Sequence, residues 1–335
     1  MTQKIIGIDL GGTSVKLAII SQKGKILKKW SIKTNILEKG KHIVPDIIAS
    51  IQEHLKLYGL TASDFIGIGM GSPGKVDSQA GTVIGAYNLG WAELQEIGQI
   101  FQANFGLPFF IGNDANVAAL GEQWKGAGQG NTDVVMFTLG TGVGGGIVVN
   151  GQLITGFDGA AGEVGHLTVD TENDIECTCG KKGCLEAVAS ATGIINLAHK
   201  FSSDYEGSSP IKMGIDNGDE ITSKNIFDVA KTGDIFANMI VDKFVNYLAL
   251  AVSHIANTLS PSHIVIGGGV SAAGDFLLNK IKAKAYDYIF PQICETCQIT
   301  LAKLGNDAGV IGAAQLVKLG LQCNEHNVRC HKVKR

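Results

Sequence analysis

The chain has 335 residues, long enough for two domains and a large core; 45% of them are hydrophobic and only 18% charged, below the usual ~25%. The net charge is −3 and the only two arginines are Arg329 and Arg335, which disfavours a nucleic-acid surface built on clustered Arg and Lys. No apolar run approaches the ~20 residues of a membrane span, and the N-terminus runs straight into strand-like sequence without a signal peptide; the seven cysteines are then expected as reduced thiols and metal ligands in a cytoplasmic protein with no membrane partner.

Read in chain order, residues 4–9 form a short apolar strand ending at Asp9, and a glycine turn leads to a second strand at 15–20. A third strand spans 25–34, a helix 41–58 and a strand 64–70. Residues 92–104 predict a helix and 109–111 a strand, after which Asn113-Asp114 provides an N-cap for a helix over 115–124. The pattern then restarts, with a strand at 134–139, a glycine turn, and a strand at 147–149. The segments D-L-G-G-T-S-V-K-L-A-I-I (9–20) and T-L-G-T-G-V-G-G-G-I-V-V (138–149) share this strand–turn–strand plan, the mark of a distant internal duplication. Helices are predicted at 187–200, 223–231 and 234–259, a buried strand at 263–266 and a last helix at 307–319. Residues 202–220 read as a polar surface excursion and the tail after 320 as poorly ordered. Alternating strands and helices imply an α/β fold with mixed sheets, and two such halves would leave a cleft for a ligand.

Several turns are equipped for phosphate. In D-L-G-G-T (9–13), Gly11 and Gly12 let the backbone approach an anion, Thr13 adds a hydroxyl and Lys16 a cation, while Asp9 can hold Mg2+ through water. The plainer reading is a tight hairpin. Two G-x-G-x-x-G matches, at Gly69, Gly71, Gly74 and at Gly140, Gly142, Gly145, lack the helix that a dinucleotide fingerprint requires. Residues 139–146 suit a second phosphate turn, with Thr141 and Gly142 as donors, and the glycines at 267–269, Gly268 among them, allow close approach of a nucleotide. With no arginine before residue 329, phosphate must rest on backbone N–H groups, hydroxyls, lysines and a metal ion. Asp114 sits where a strand hands over to a helix, and its carboxylate can either accept a proton from a substrate hydroxyl or simply cap the helix.

Residues 163–186 concentrate His166, Cys177, Cys179 and Cys184 within nineteen positions, bracketed by Glu163 and Glu186. Cys3His is the donor set of a closed tetrahedral zinc site, and the competing reading is reduced thiols in a solvated acidic loop. Cys294 and Cys297, with Cys323, His326, Cys330 and His331, have irregular spacing and read as ordinary thiols and imidazoles.

Together, D-L-G-G-T, G-S-P-G at 71–74, N-L-G-W at 88–91, N-D-A-N at 113–116, L-G-T-G-V-G-G-G at 139–146, E-V-G-H at 163–166, C-T-C-G-K-K-G-C-L-E at 177–186 and D-A-G-V-I-G-A-A at 307–314 resemble the ROK family of bacterial sugar kinases and repressors, its glucokinases most of all. The resemblance implies an actin-like ATPase (ribonuclease H-like) fold of two lobes with a central cleft. The expected division is 1–118 completed by helix 307–320, a larger lobe over 119–306 carrying the zinc loop, and a 321–335 tail. It further implies a homodimer and ATP-dependent phosphorylation of a hexose. By position, Asp114 would be the catalytic base. Gly74, Asn88, Asn113, Asp114, Glu163, His166 and Glu186 would contact the sugar. Asp9, Gly11, Gly12, Thr13, Lys16, Thr141, Gly142 and Gly268 would hold ATP and Mg2+. His166, Cys177, Cys179 and Cys184 would bind structural zinc. Glucose is the expected hexose, with N-acetylmannosamine, N-acetylglucosamine, fructose and allose as alternatives. The repressors of the family carry an N-terminal winged helix, for which a phosphate motif beginning at Asp9 leaves no room.

Overall fold

The computed structural model describes residues 3–172 and 175–333, with side chains through Cys323. Its first sheet has the order β3-β2-β1-β4-β7. The strands are β1 (Lys4–Leu10), β2 (Ser14–Ser21), β3 (Ile26–Lys33), β4 (Phe65–Ser72) and β7 (Phe109–Asn113). Between β4 and β7 in sequence lies a two-stranded hairpin of β5 (Lys75–Asp77) and β6 (Thr82–Ile84). β1 is central and almost entirely buried, as its run of isoleucines requires. It pairs antiparallel with β2, and β1, β4 and β7 run parallel.

The second sheet has the order β10-β9-β8-β11-β12. It is built from β8 (Val134–Leu139), β9 (Val143–Val149), β10 (Gln152–Leu153), β11 (His263–Gly267) and β12 (Gln298–Leu301). Both sheets therefore follow one plan: the third, second, first, fourth and fifth strands in sequence stand side by side. That shared topology is the structural form of the duplication read from the two glycine turns.

The chain divides into two compact units. Unit 1 comprises residues 1–130, 146–161 and 306–335, and unit 2 comprises 131–145 and 162–305, so one boundary falls inside β9. In unit 1 the Ala308–Val333 helix lies close to the first sheet and to the Asp114–Lys125 helix because glycines remove the obstructing side chains. A Cβ on Gly69 would stand 2.0 Å from the Ala313 carbonyl oxygen, and one on Gly312 only 1.7 Å from that of Val117. In unit 2 the Ile235–Leu259 helix is long and apolar enough to cross a membrane by length and composition, but Phe236, Ile240, Phe244, Leu248 and Val252 are buried in the core of that unit.

Several predicted elements differ in extent. The helix expected over 92–104 begins only at Ile97, because Gln95 is held in a bridge to Val83. The strand expected at 147–149 starts at Val143, so three glycines counted as turn lie in β9. The helix expected over 187–200 breaks at Ser190, whose extended backbone and side-chain bond to the Gly193 N–H start a new helix at Ala191. The polar excursion contains a helix, Pro210–Asn217, capped by Ser209. The Asp275–Tyr286 helix carries no signal we read in sequence, and the last helix continues to Val333 rather than ending near 319. The side chains of His326, Cys330 and His331 lie outside the described residues.

Candidate active site

In unit 1, strand register brings the candidate residues into one row. Asp9 on β1 stands beside Gly71 on β4, Gly71 beside Gly112 on β7, and Ser72 beside Asn113. All lie at the carboxyl ends of parallel strands, where open α/β sheets place their ligands. Asp9 also faces Lys16 across the β1–β2 hairpin, and the two form an ion pair of 3.0 Å. Behind the carboxylate a Cβ on Gly309 would come within 2.5 Å of it, so glycine at the start of the last helix makes space for Asp9.

The 9–13 turn is fixed from within and from β3. The Gly11 N–H donates to the Ser14 carbonyl at 3.1 Å, the Thr34 hydroxyl donates to the Gly11 carbonyl at 2.6 Å, and the Thr34 N–H donates to the Thr13 carbonyl at 3.0 Å. Thr13 itself is exposed. Asn88, expected at the sugar, is exposed and lies against this turn: a Cβ on Gly12 would be 3.3 Å from its Nδ2. Thr34 is a contributor that sequence reading missed, since its only signal is a hydroxyl one residue beyond β3.

At the β7–helix junction, Asn113 and Asp114 divide the work. The Asn113 Oδ1 accepts from the Ala115 and Asn116 N–H groups at 3.0 and 3.3 Å and so supplies the N-cap. Its Nδ2 points to the Gly74 carbonyl at 3.5 Å. Gly74 has φ +92° and backs onto Ile84 and Ala86, a position closed to a side chain. Asp114 is the first helical residue; its Oδ1 also accepts from the Ala115 N–H, at 2.8 Å. A carboxylate in the first helical turn is stabilised as the anion by the helix dipole.

In unit 2, the second glycine turn is closed by a 2.9 Å bond from the Gly140 N–H to the Gly142 carbonyl, and the Gly140 carbonyl accepts from the Ala191 N–H. Thr141 is exposed at the tip. A Cβ on Gly142 would lie 2.2 Å from the Glu186 carboxylate, so a side chain there would displace that carboxylate. Gly268 follows β11 with φ +83° and packs on the Leu139 backbone, which gives it a structural reason independent of any ligand.

His166, Cys177, Cys179 and Cys184 come together, with their ligand atoms all within 4.8 Å of one another; among the described residues they are the one such cluster. Short loop bonds place them: the Cys177 N–H to the Lys181 carbonyl at 2.7 Å and a bridge between Thr168 and Cys184. The Cys179 and Cys184 sulfurs are 3.7 Å apart, and the Cys177 sulfur is 3.6 Å from His166 Nδ1. Four donors at ~2.3 Å from a tetrahedral zinc would have edges of roughly 3.8 Å, so the set fits the ion. Burial, with Cys177 and Cys179 alongside, pushes the Cys184 thiol up to about 12. The N–H of Lys181 holds the Cys179 thiol below its ordinary value. A cation at the centre would stabilise all the thiolates together.

His166 Nδ1 faces the Cys177 sulfur, which leaves Nε2 directed toward Glu163, 4.0 Å away, with both side chains partly exposed. Glu186 is more constrained. Its Oε2 accepts from the Val143 N–H at 3.0 Å and its Oε1 from the Thr178 hydroxyl at 2.6 Å. It therefore ties the cysteine loop to the second glycine turn, and a carboxylate with about four acceptor sites still has capacity for a ligand hydroxyl. Thr178 and the Val143 N–H were not legible as partners of Glu186; the only hint was the hydroxyl between two cysteines.

Comparison with known proteins agrees over almost the full length. The ROK family model matches residues 5–319. A glucokinase of Halalkalibacterium halodurans is 44% identical over 313 residues, covering 93% of this chain and 94% of the relative. A glucokinase of Thermotoga maritima is 39% identical over 316 residues, covering 94% and 97%. Among solved structures, a ROK family glucokinase from Streptomyces griseus in complex with glucose and AMPPNP superposes with a TM-score of 0.72 at 31% identity, covering 94% of this chain and 99% of that one. A chain with this topology, these turns and matches of this extent belongs to the ROK family.

Proposed function

We propose that the protein is a sugar kinase that transfers the γ-phosphoryl group of ATP to the 6-hydroxyl of glucose. The observation that carries the reading is the junction at 113–114, at the carboxyl end of β7 in the same row as Asp9. There Asn113 takes the capping duty, and a second, acidic residue follows at the head of the helix. Pure capping would need only the first. The glucokinases at 44% and 39% identity, and the related enzyme solved with glucose and AMPPNP, support the choice of reaction and donor.

In this mechanism the Asp114 carboxylate accepts the proton of the 6-hydroxyl as its oxygen attacks the γ-phosphorus, and the bond to the β-phosphate oxygen breaks to release ADP. Gly11, Gly12, Thr13, Thr141 and Gly142 offer backbone N–H groups and hydroxyls to the phosphates, with Lys16 as the nearby cation and Gly268 beside the nucleotide. Asp9 is a hard oxygen donor suited to Mg2+, which when bound neutralises charge on the β- and γ-phosphates. Gly74, Asn88, Asn113, Glu163, His166 and Glu186 bind the sugar, the carboxylates accepting from hydroxyls and His166 donating through Nε2. Zinc held by His166, Cys177, Cys179 and Cys184 would be structural, since protein atoms would fill all four positions. The family's usual homodimer and a cytoplasmic setting complete the reading.

A coupled assay across glucose, fructose, allose, N-acetylmannosamine and N-acetylglucosamine tests it. Glucose should give the highest kcat/KM. A higher value for an amino sugar would transfer the assignment to that substrate, and no ATP turnover with any of them would overturn the kinase reading.

A further inference from the structure

β3 carries three lysines, and the structure gives each a different setting. Lys28 lies over the Tyr58 ring, its Nζ 4.9 Å from the centroid. Lys29 pairs at 2.7 Å with Asp307, just before the last helix. Lys33, the last residue of the strand, is exposed and has no ion-pair or side-chain hydrogen-bond partner among the described residues. Strand register puts that ammonium beside the 9–13 turn. Lys33 stands opposite Ser14, the residue that follows the turn, and Ser31 stands opposite Lys16. Lys16 in turn stands opposite Asp9. Opposed residues of an antiparallel pair share a face, and so do residues two apart in one strand. Lys33, Lys16 and Asp9 therefore project from one face of the first sheet, with Lys33 at the end that carries the turn.

The distribution of charge gives that position a use. The chain has no arginine before residue 329, so the strands around this turn can offer a phosphate only lysine. Lys16 is already engaged by Asp9, 3.0 Å away. The next residue of the same strand end shapes the turn itself. Thr34 is 4% exposed; its hydroxyl donates to the Gly11 carbonyl at 2.6 Å and its N–H to the Thr13 carbonyl at 3.0 Å. Two oxygens that would repel an anion are thereby held against β3, while the N–H groups of a glycine turn are the part that attracts one.

We propose that the Lys33–Thr34 end of β3 is part of the nucleoside triphosphate site. The Lys33 ammonium donates to the phosphate chain of the nucleotide, and Thr34 is a positioning residue that keeps the Gly11 and Thr13 carbonyls away from it. The proposal rests on the kinase reading for the identity of the ligand. Calorimetric titration of the full chain with Mg2+ and a non-hydrolysable ATP analogue tests it without turnover. Lys33→Gln should weaken the nucleotide about tenfold, the loss of one charge-assisted hydrogen bond, and flatten the dependence of affinity on salt. Lys33→Arg should keep most of the affinity. Lys28→Gln, which removes the same charge from the other face of the strand, should leave it unchanged. In the coupled assay Lys33→Gln should raise the KM for ATP while kcat and the KM for glucose hold. Thr34→Val, which keeps the shape but removes the donor, should also raise the KM for ATP, and Thr34→Ser should restore it. Parental nucleotide affinity in Lys33→Gln, or an equal loss in Lys28→Gln, would overturn the proposal, and a folded Thr34→Val with the parental KM for ATP would overturn the positioning role. Should Thr34→Val fail to fold, the Lys33 comparison decides. A chain that binds the nucleotide through Lys33 but phosphorylates no sugar would overturn the kinase reading and leave this site standing.

Discussion

Asp114 and Asn113 are neighbours to which the proposed mechanism gives different duties, and substitution should separate them. Asp114→Asn keeps the shape of the side chain and the cap at Asn113 but removes the proton acceptor. It should fold, bind glucose with little change, and lose ~10² to 10⁴ in kcat. A kcat near that of the parent enzyme, measured with ATP and glucose saturating, would remove the base role. Asn113→Ala instead removes an N-cap worth ~1 kcal/mol and should show first as lower stability. The junction was legible because strand, polar pair and helix follow one another in sequence. Which of the two residues caps was not, since both types cap well and only the geometry chooses.

At the scale of one element, the loop from Glu163 to Glu186 shows what local sequence can and cannot announce. The four metal-type ligands were legible, because nineteen positions with a cluster of turn residues force them near one another. Glu186 was legible only as a carboxylate beside that loop. Its bond to the Val143 N–H joins residues 43 positions apart, and no local pattern encodes that pairing. The bond makes the loop more than a clip: it supports the glycine turn on one side while presenting Glu163 and His166 on the other. Cys184→Ser should therefore lower bound zinc and raise the KM for glucose together, and treatment of the parent enzyme with a strong chelator should do the same. Zinc analysis alongside steady-state kinetics checks both. Loss of zinc with an unchanged KM would reduce the metal to a stabiliser that does not shape the sugar site.

For the whole molecule, the duplication was legible as two strand–glycine turn–strand segments, whereas the common sheet order came only from the structure. The helical packing was not legible either, because it depends on close approaches such as Gly312 to the Val117 carbonyl and Gly69 to the Ala313 carbonyl, where small residues acquire meaning only beside their partners. Of the proposed sugar ligands, Asn113 and Asp114 belong to unit 1, and Glu163, His166 and Glu186 to unit 2. If they bind one sugar, its binding energy must appear as folding stability of the entire chain. Glucose at a hundredfold excess over its Kd should then stabilise the native state by about 2.7 kcal/mol, a rise in Tm on the order of 5 °C. Asp114→Asn should keep most of that rise, because base chemistry is not needed for binding, whereas Glu163→Gln should lose much of it. Differential scanning fluorimetry with and without glucose makes the comparison, and a Glu163→Gln variant with the full rise would show that the carboxylate of unit 2 does not hold the sugar.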